Sequence, residues 1–254
     1  MEKDVKFAEN NEKFKICKEI CFEEIDFFDG GVLPCAVLKK FQDIALAHAK
    51  LLGVGFGDML KLGLLWVSMR IKYEVLREPK PNEKLEIVTY PSGKNWLEFD
   101  RDYLIFDEQK NLIIKGTNKW CFIDKNTRRP AKMSVIDHIK LPEVKPVFEG
   151  RFVKNDMFEP TTAPDFSYQI KSDDIDGNNH TNNTVYAKMI ESILKNERKT
   201  INFFQINFLK ETLFGDRIDI YKKQNQQENN EKSLDILGKL CEAEPCFLVH
   251  IETE

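Results

Sequence analysis

The sequence predicts an α+β fold made of two copies of one unit, each with a helix followed by long antiparallel strands. Residues 72–78 and 205–211 align without a gap at an offset of 133, and the register continues through a turn into 82–87 and 215–220. In both copies an alternating strand runs into a short turn and a second strand. A match on both sides of a turn indicates an internal repeat.

One helix precedes the strands in each copy. The first opens at Leu33-Pro34, carries apolar residues at helical spacing up to Leu52, and is stopped by Gly53. Proline near the start and glycine just past the end is the expected asymmetry of helix ends. The second helix is predicted from the amphipathic stretch Tyr186 to Leu194.

Long strands follow the first helix. They are predicted at 65–76, 83–90, 96–106 and 112–123. One helix cannot cover both faces of so long a sheet, so the simplest burial wraps the sheet around the helix, and two such units side by side share a continuous sheet. This arrangement is a double (tandem) hot-dog fold, with two antiparallel sheets each wrapped around a long helix.

The stretch between the two copies is rich in proline. Residues 134–165 hold four of the chain's ten prolines and show little periodicity, which is typical of a connector. We therefore predict an N-terminal hot-dog at 1–133, a linker at 134–165 and a C-terminal hot-dog at 166–254.

Composition limits the class of protein. At 254 residues with 42% hydrophobic content, the chain supports a substantial core. No stretch reaches the roughly 20 apolar residues of a membrane span, and the first residues do not resemble a signal peptide, so we expect a cytoplasmic protein that does not enter a membrane. A net charge of −4 argues against a general nucleic-acid binder. The six cysteines lack paired metal-site spacings, so we expect mostly reduced thiols, and we predict neither a metal nor a cofactor.

The ten residues from Asp174 to Asn183 carry two carboxylates, four amides and one imidazole, directly in front of the second helix. Asp176, Asn178 and His180 are spaced two residues apart, so an extended segment would point all three side chains to one side. The predicted helix start also places His180 beside unpaired backbone N–H donors. Such a cluster is typical of a site, and we interpret it as the candidate active site.

With these residues the sequence resembles the acyl–acyl carrier protein (acyl-ACP) thioesterases of bacteria and plant plastids, from Phe14 to Ile251. The most specific element is the 174–183 segment with Tyr186, which is similar to the family block D-x-D-x-N-x-H-x-N-N-x-x-Y. Further segments support the resemblance: Leu65-Trp-Val-Ser-Met-Arg70, Phe99-Asp-Arg-Asp102, Trp120-Cys-Phe-Ile-Asp124, Arg128-Arg-Pro130 and Phe208-Leu-Lys-Glu211.

The resemblance implies hydrolysis of fatty acyl thioesters of acyl carrier protein, which would be the partner. It places the acyl chain in the first hot-dog and the catalytic groups in the second. By motif position the catalytic set would be Asp176, Asn178, His180 and Glu211. Many plant members have a cysteine directly after the glutamate, where this chain has Thr212. A cysteine nucleophile is therefore not implied here.

The internal repeat separates the roles of the two copies. The alignment pairs Asp29 with Asp176, Gly31 with Asn178, Leu33 with His180 and Glu78 with Glu211. The first copy lacks the amide and the imidazole, so we predict that it cannot hydrolyse a substrate by itself. Its strand after the helix offers Trp66 and Met69, which we interpret as walls of an apolar acyl pocket, although both suit a plain core equally.

The chemistry of a thioester needs few groups. Its leaving thiol has a pKa of about 8.5, so water activation and carbonyl polarisation suffice. We interpret Asp176 and Glu211 as groups that orient and deprotonate a water together with His180, while Asn178 positions the water or the carbonyl. Direct attack by Asp176 to give an anhydride is an alternative route.

Other functions on the same fold stay open at this point. One is hydrolysis of acyl-CoA, and another is a non-catalytic acyl-binding or regulatory protein. The sequence also leaves open a homodimer and the preferred length of the acyl chain.

Overall fold

The structure is a computed structural model. It describes residues 14–139, 141, 145–148, 152–154, 157–160, 163–197, 200–226, 232–240 and 244–253. The first part of the chain contains β1 (Ile16–Ile20), β2 (Phe27–Phe28), β3 (Gly31–Val32), α1 (Pro34–Leu51), α2 (Phe56–Lys61), β4 (Leu64–Val75), β5 (Leu85–Lys94), β6 (Glu98–Phe106), β7 (Leu112–Asp124) and β8 (Pro130–Ala131). The second part contains β9 (Phe166–Gln169), α3 (Asn183–Met189), α4 (Glu191–Glu197), β10 (Ile201–Phe208), β11 (Arg217–Gln226), β12 (Lys232–Leu240) and β13 (Pro245–Thr253).

The chain forms two compact units. The first unit takes the described residues within 1–20, 40–69 and 84–150, and the second takes those within 21–39, 70–83 and 151–254. The division passes through α1 and β4, and each of these elements contributes residues to both units. The predicted limits 1–133, 134–165 and 166–254 stay a prediction, and parts of 134–165 lie outside the described residues.

The first unit is an antiparallel sheet with a helix against it. Its strand order is β1-β5-β6-β7, followed by the first half of β4. Phe41 of α1 stacks on Tyr103 of β6 with ring centroids 4.3 Å apart, and both residues are fully buried. Below the end of α1, Val54, Phe99 and Phe122 form a second part of the core. The alternating strands therefore bury one face against the helix.

The second unit has the strand order β10-β13-β12-β11-β9, and residues 70–74 of β4 pair with β10. In that pairing Lys72 lies opposite Gln205, the two residues that the internal repeat aligns. The phenol ring of Tyr186 in α3 packs edge-on against Phe208 and Phe247, at 5.6 and 5.5 Å between centroids.

The helices partly follow the prediction. The first predicted helix is observed as α1, and Gly53, just past its end, has a positive φ of 69°. The second is two short helices, because the N–H of Ile190 bonds the carbonyl of Lys188 and closes a tight turn after Met189. Ile190 and Ile193 are both buried on either side of the break, so the apolar face is kept. The short helix α2 was not predicted. None of the helices in the described part of the chain is long and apolar enough to cross a membrane.

Candidate active site

Residues 176–180 form a tight turn between two parts of the second unit. The Asp176 carboxylate holds it, because Oδ1 accepts the N–H of Asn178 at 2.8 Å and that of His180 at 3.3 Å. The N–H of Asp176 in turn donates to the His180 carbonyl at 2.8 Å, and Asn179 has a φ of 63°. Asp and Asn favour such turns because their side chains bond the nearby backbone and tolerate positive φ. The prediction of an extended, one-sided segment is therefore wrong.

Glu211 reaches this turn from the loop between β10 and β11. Its Oε2 lies 3.3 Å from Nε2 of His180, and the two side chains are 40% and 24% exposed. Glu211 stands three residues beyond the end of β10, where the backbone has left the sheet. The structure thus brings Glu211 onto the imidazole of His180, while Asp176 binds the backbone on either side of that imidazole.

The side chain of Asn178 is turned into the protein. Its Nδ2 lies 3.5 Å from Asp176 Oδ2, a weak contact. Its Oδ1 is buried and has no hydrogen-bond partner among the described residues. An unsatisfied buried carbonyl oxygen costs about 1–3 kcal/mol. Such a cost at a candidate site is typical of a group that bonds a water or a ligand.

The start of α3 is already hydrogen-bonded. Asn182 is the N-cap, and its side chain accepts the N–H of Thr184 at 3.0 Å, a common arrangement for asparagine at a helix start. The N–H of Thr181 donates to the Thr212 carbonyl and that of Asn182 to the Asp174 carbonyl. The prediction of unpaired N–H donors beside the imidazole is therefore wrong for these three residues.

Three hydroxyl groups bond each other, and two of them belong to the residues that follow His180 and Glu211 in the chain. Thr212 Oγ1 lies 2.7 Å from Thr181 Oγ1 and 2.9 Å from the Tyr186 hydroxyl. Burial raises the pKa of Tyr186 to about 12, so the phenol keeps its proton. Tyr186 belongs to the motif that the sequence revealed, whereas Thr181 and Thr212 were not recognised as parts of the site.

The first unit contains an apolar pocket between α1 and the sheet, with an empty volume of about 470 Å³ including its mouth. It is lined by Gln42, Ala45, Leu46, Ala49, Val54, Trp66, Phe99, Arg101 and Trp120. Trp66 is one of these lining residues, its role in binding an acyl chain stays a prediction, and its Nε1 donates to the Val54 carbonyl at 2.9 Å. Met69 is half-buried and is not among the lining residues of this pocket.

The buried guanidinium of Arg101 lines the same pocket. Its Nη1 donates to Nδ1 of His48 at 2.9 Å. An arginine has no acceptor atom, so Nδ1 of His48 carries no proton here. Burial lowers the pKa of Arg101 from its ordinary value. His48 thus has a buried structural hydrogen bond from the face of α1. Across the described residues, no group of three or more His, Cys, Asp or Glu is arranged to hold a metal ion.

Models of known protein families match both parts of the chain. Residues 11–139 match the acyl-ACP thioesterase N-terminal domain, and residues 159–244 match the acyl-ACP thioesterase C-terminal domain. The two matches, in chain order, define a protein with two related domains of one known family. More particularly, the chain belongs to the acyl-ACP thioesterase family, and the resemblance drawn from the sequence is confirmed.

Individual curated proteins are also similar to the chain in sequence. An acyl-[acyl-carrier-protein] hydrolase from Cuphea viscosissima is 30% identical over 175 residues, which are 62% of this chain and 41% of that protein. A palmitoyl-acyl carrier protein thioesterase from Arabidopsis thaliana is 31% identical over 179 residues, 61% of this chain and 40% of that protein. The chain therefore spans less than half the length of these curated relatives.

Solved structures share the fold. An acyl-ACP thioesterase from Bacteroides thetaiotaomicron superposes with a TM-score of 0.80 at 23% identity, covering 96% of this chain and all of that one (100%). The 12:0-ACP thioesterase from Umbellularia californica gives 0.80 at 18% identity, covering 98% and 99%. The predicted tandem hot-dog fold is thereby confirmed.

Proposed function

We propose that this protein hydrolyses fatty acyl thioesters of acyl carrier protein and releases the free fatty acid. The observation that carries the proposal is the 3.3 Å contact between His180 Nε2 and Glu211 Oε2, formed above a turn that holds Asp176 and Asn178. A carboxylate and an imidazole in contact can take up the proton of an attacking water. The relatives are named as hydrolases or thioesterases of acyl-ACP, and these names support the same reaction.

In this mechanism Glu211 and His180 act together on the water. A positioned general base contributes about 10²- to 10⁴-fold in rate. We favour the water route over attack by Asp176, because Oδ1 of Asp176 already accepts two backbone N–H groups. Hydrogen bonds to a carboxylate stabilise its negative charge and make it a weaker nucleophile. Asp176 then keeps the turn in shape and adds negative charge beside the water.

The thioester carbonyl also needs a donor. We assign this role to Asn178, because the N–H groups of Thr181, Asn182 and Thr184 are bonded within the fold. Within the described part of the chain, its Nδ2 makes a weak 3.5 Å contact with Asp176, which a substrate oxygen would replace. One oxyanion donor is worth about 10²- to 10³-fold in rate. We further assign the acyl chain to the apolar pocket that Trp66 lines.

The test is a panel of substrates. The purified protein is incubated with acyl carrier protein and CoA thioesters of matched, graded chain length, and the release of fatty acid and of thiol is measured. We expect the larger kcat/KM for the carrier-protein thioesters. Larger values for acyl-CoA would assign the protein to the other substrate class. Binding of acyl groups with no release of thiol would make it a non-catalytic acyl-binding protein.

A cytoplasmic location and the choice between a monomer and a homodimer stay predictions. Cell fractionation tests the first, and light scattering of the purified protein tests the second.

A further inference from the structure

We propose that Thr212 is a positioning residue, which acts through Thr181 and Tyr186 to hold His180 and Glu211 at reacting distance. The three hydroxyl-bearing residues Thr181, Tyr186 and Thr212 are called the hydroxyl clasp below. This inference rests on the proposed function, because it assigns His180 and Glu211 to the chemistry.

The hydroxyl clasp connects the two loops of the site through residues that are chain neighbours of His180 and Glu211. Thr181 directly follows His180, and Thr212 directly follows Glu211. Both the N–H and the hydroxyl of Thr181 donate to the carbonyl oxygen of Thr212, at 2.9 and 3.0 Å. A displacement of one loop is therefore passed to the other within one residue of each reacting side chain.

The hydrogen bonds of the hydroxyl clasp all have the same donor direction, from Tyr186 to Thr212 and from Thr212 to Thr181. Each hydroxyl has a single proton. The hydroxyl of Thr181 donates to the Thr212 carbonyl, and the hydroxyl of Thr212 donates to Thr181 Oγ1 at 2.7 Å. The Tyr186 hydroxyl must therefore be the donor in its 2.9 Å contact with Thr212 Oγ1. Every proton is used, and the Thr212 hydroxyl takes part in two of the three bonds, as the acceptor for Tyr186 and the donor to Thr181.

Burial explains why the hydroxyl clasp sets the geometry. Thr212, Thr181 and Tyr186 are 0%, 4% and 3% exposed. Their hydrogen bonds lie in a medium of low dielectric, where they are stronger than in water. The contact of Glu211 with His180 is partly open to solvent, and an exposed ion pair is worth about 0–1 kcal/mol. That contact alone would not fix the two side chains.

The loop that carries Glu211 is anchored on both sides of Thr212. The N–H groups of Leu209 and Lys210 bond the Cys246 carbonyl, and the N–H of Gly215 bonds the Ile170 carbonyl. Between these anchors, the carbonyl and the hydroxyl of Thr212 bond Thr181, the residue next to His180. The side chains of Leu213 and Phe214, in the same stretch, are 50% and 68% exposed. Thr212 thus supplies the inward attachment of this loop.

The experiment removes the hydroxyl and keeps the shape. Thr212→Val deletes one proton donor and preserves the branched side chain and the carbonyl. A misplacement of about 1 Å in an active site costs up to about 10²-fold in rate. We therefore expect kcat for the acyl-ACP substrate to fall by about 10- to 100-fold with little change in KM, and the pH dependence of kcat to shift. Thr212→Ser, which restores the hydroxyl, should recover most of the rate.

A double-mutant cycle separates positioning from general stability. If the hydroxyl clasp acts through Glu211, adding Thr212→Val to a Glu211→Gln protein should lower its kcat only slightly. The reason is that the effects of mutations at coupled residues do not add. Ser233→Ala, a buried hydroxyl on β12, is the matched control and should leave kcat unchanged. Should Thr212→Val fail to fold, Tyr186→Phe removes the first donor of the series and is used in the same cycle.

Two results would overturn the inference. One is a folded Thr212→Val protein with native kcat and a native pH profile. The other is an equal loss of rate in the native and Glu211→Gln backgrounds, which would indicate a purely structural role. If Glu211→Gln alone left turnover unchanged, the proposed mechanism would fail instead, whatever Thr212→Val did.

Discussion

Glu78 lies so close to Gly31 that a Cβ atom on that glycine would be 2.5 Å from Oε1 of Glu78. Gly31 has a φ of 111°, and Oε2 of Glu78 accepts the N–H of the next residue, Val32, at 3.1 Å. In the internal repeat Gly31 is aligned with Asn178, and Glu78 with Glu211. The glutamate of the first copy therefore packs against the aligned glycine and binds backbone, whereas Glu211 contacts an imidazole.

This relationship predicts that the two glutamates have different roles, Glu78 in stability and Glu211 in turnover. Glu78→Ala should leave turnover per folded molecule unchanged and lower the free energy of unfolding by about 1–3 kcal/mol, because the buried N–H of Val32 loses its acceptor. Glu211→Ala should abolish most of the turnover. Steady-state rates and denaturant unfolding of both variants provide the comparison. Equal losses of turnover would show that both copies are catalytic.

The sequence predicted the regular elements because burial sets their periodicity. The strand expected at 65–76 is observed as Leu64–Val75, and the first helix ends next to the predicted Gly53. The break at Ile190 was missed, because its helical spacing of apolar residues continues through the break. A tight turn that keeps Ile190 and Ile193 buried does not alter that spacing.

The candidate site was predicted in its composition and not in its shape. The motif at 174–183 and the segment Phe208–Glu211 supplied the four candidate side chains, but the spacing of Asp176, Asn178 and His180 fits an extended segment and a turn equally well. Only the backbone bonds accepted by Asp176 distinguish them. The hydroxyl clasp was missed for another reason, since Thr181 and Thr212 are 31 residues apart and meet through the fold.

Filling the apolar pocket should change the preferred acyl chain. Ala49→Leu adds volume to the pocket wall, so we expect preference to move to shorter chains with a smaller change in maximal rate. Each methylene in an apolar pocket is worth about 1–3 kcal/mol of discrimination. Met69→Ala is the comparison, because Met69 lies outside this lining. A chain-length profile that moved for Met69→Ala and not for Ala49→Leu would reject the pocket as the acyl site.

The turn after β7 is a candidate for docking the acidic carrier protein. Asp124 closes this turn by accepting the N–H groups of Asn126 and Thr127, which leaves Arg129 and Lys132 exposed. Charge steering weakens with salt, because the Debye length is about 3 Å at 1 M. Reversing both charges to glutamate should raise KM for acyl-ACP and reduce its salt dependence. The control pair, Lys18→Glu with Lys80→Glu, changes the net charge by the same amount and should leave the KM for acyl-ACP and its salt dependence unchanged. A KM unaffected by both pairs would reject this surface.

His250 should make stability depend on pH. Burial alone would lower its pKa, but the hydrogen bond and charge of Asp235, with those of Glu252, raise it above its ordinary value of 6.5. The contact between His250 Nδ1 and Asp235 Oδ1 is 2.6 Å. A raised pKa in the folded state contributes stability below the ordinary pKa and loses it as pH rises through the folded value.

We therefore expect the native protein to lose more stability than His250→Gln as the pH rises from about 6 through the raised pKa. Denaturant unfolding at several pH values measures the difference. Parallel curves for the two proteins would show that the ion pair does not contribute.

The catalytic assignment is tested most directly by the turnover of acyl-ACP by native protein and by His180→Ala, with circular dichroism to verify the fold. We expect a loss of at least about 10²-fold in kcat with the fold retained, the lower range for a lost general base. A folded His180→Ala protein with turnover near that of the native protein would contradict it.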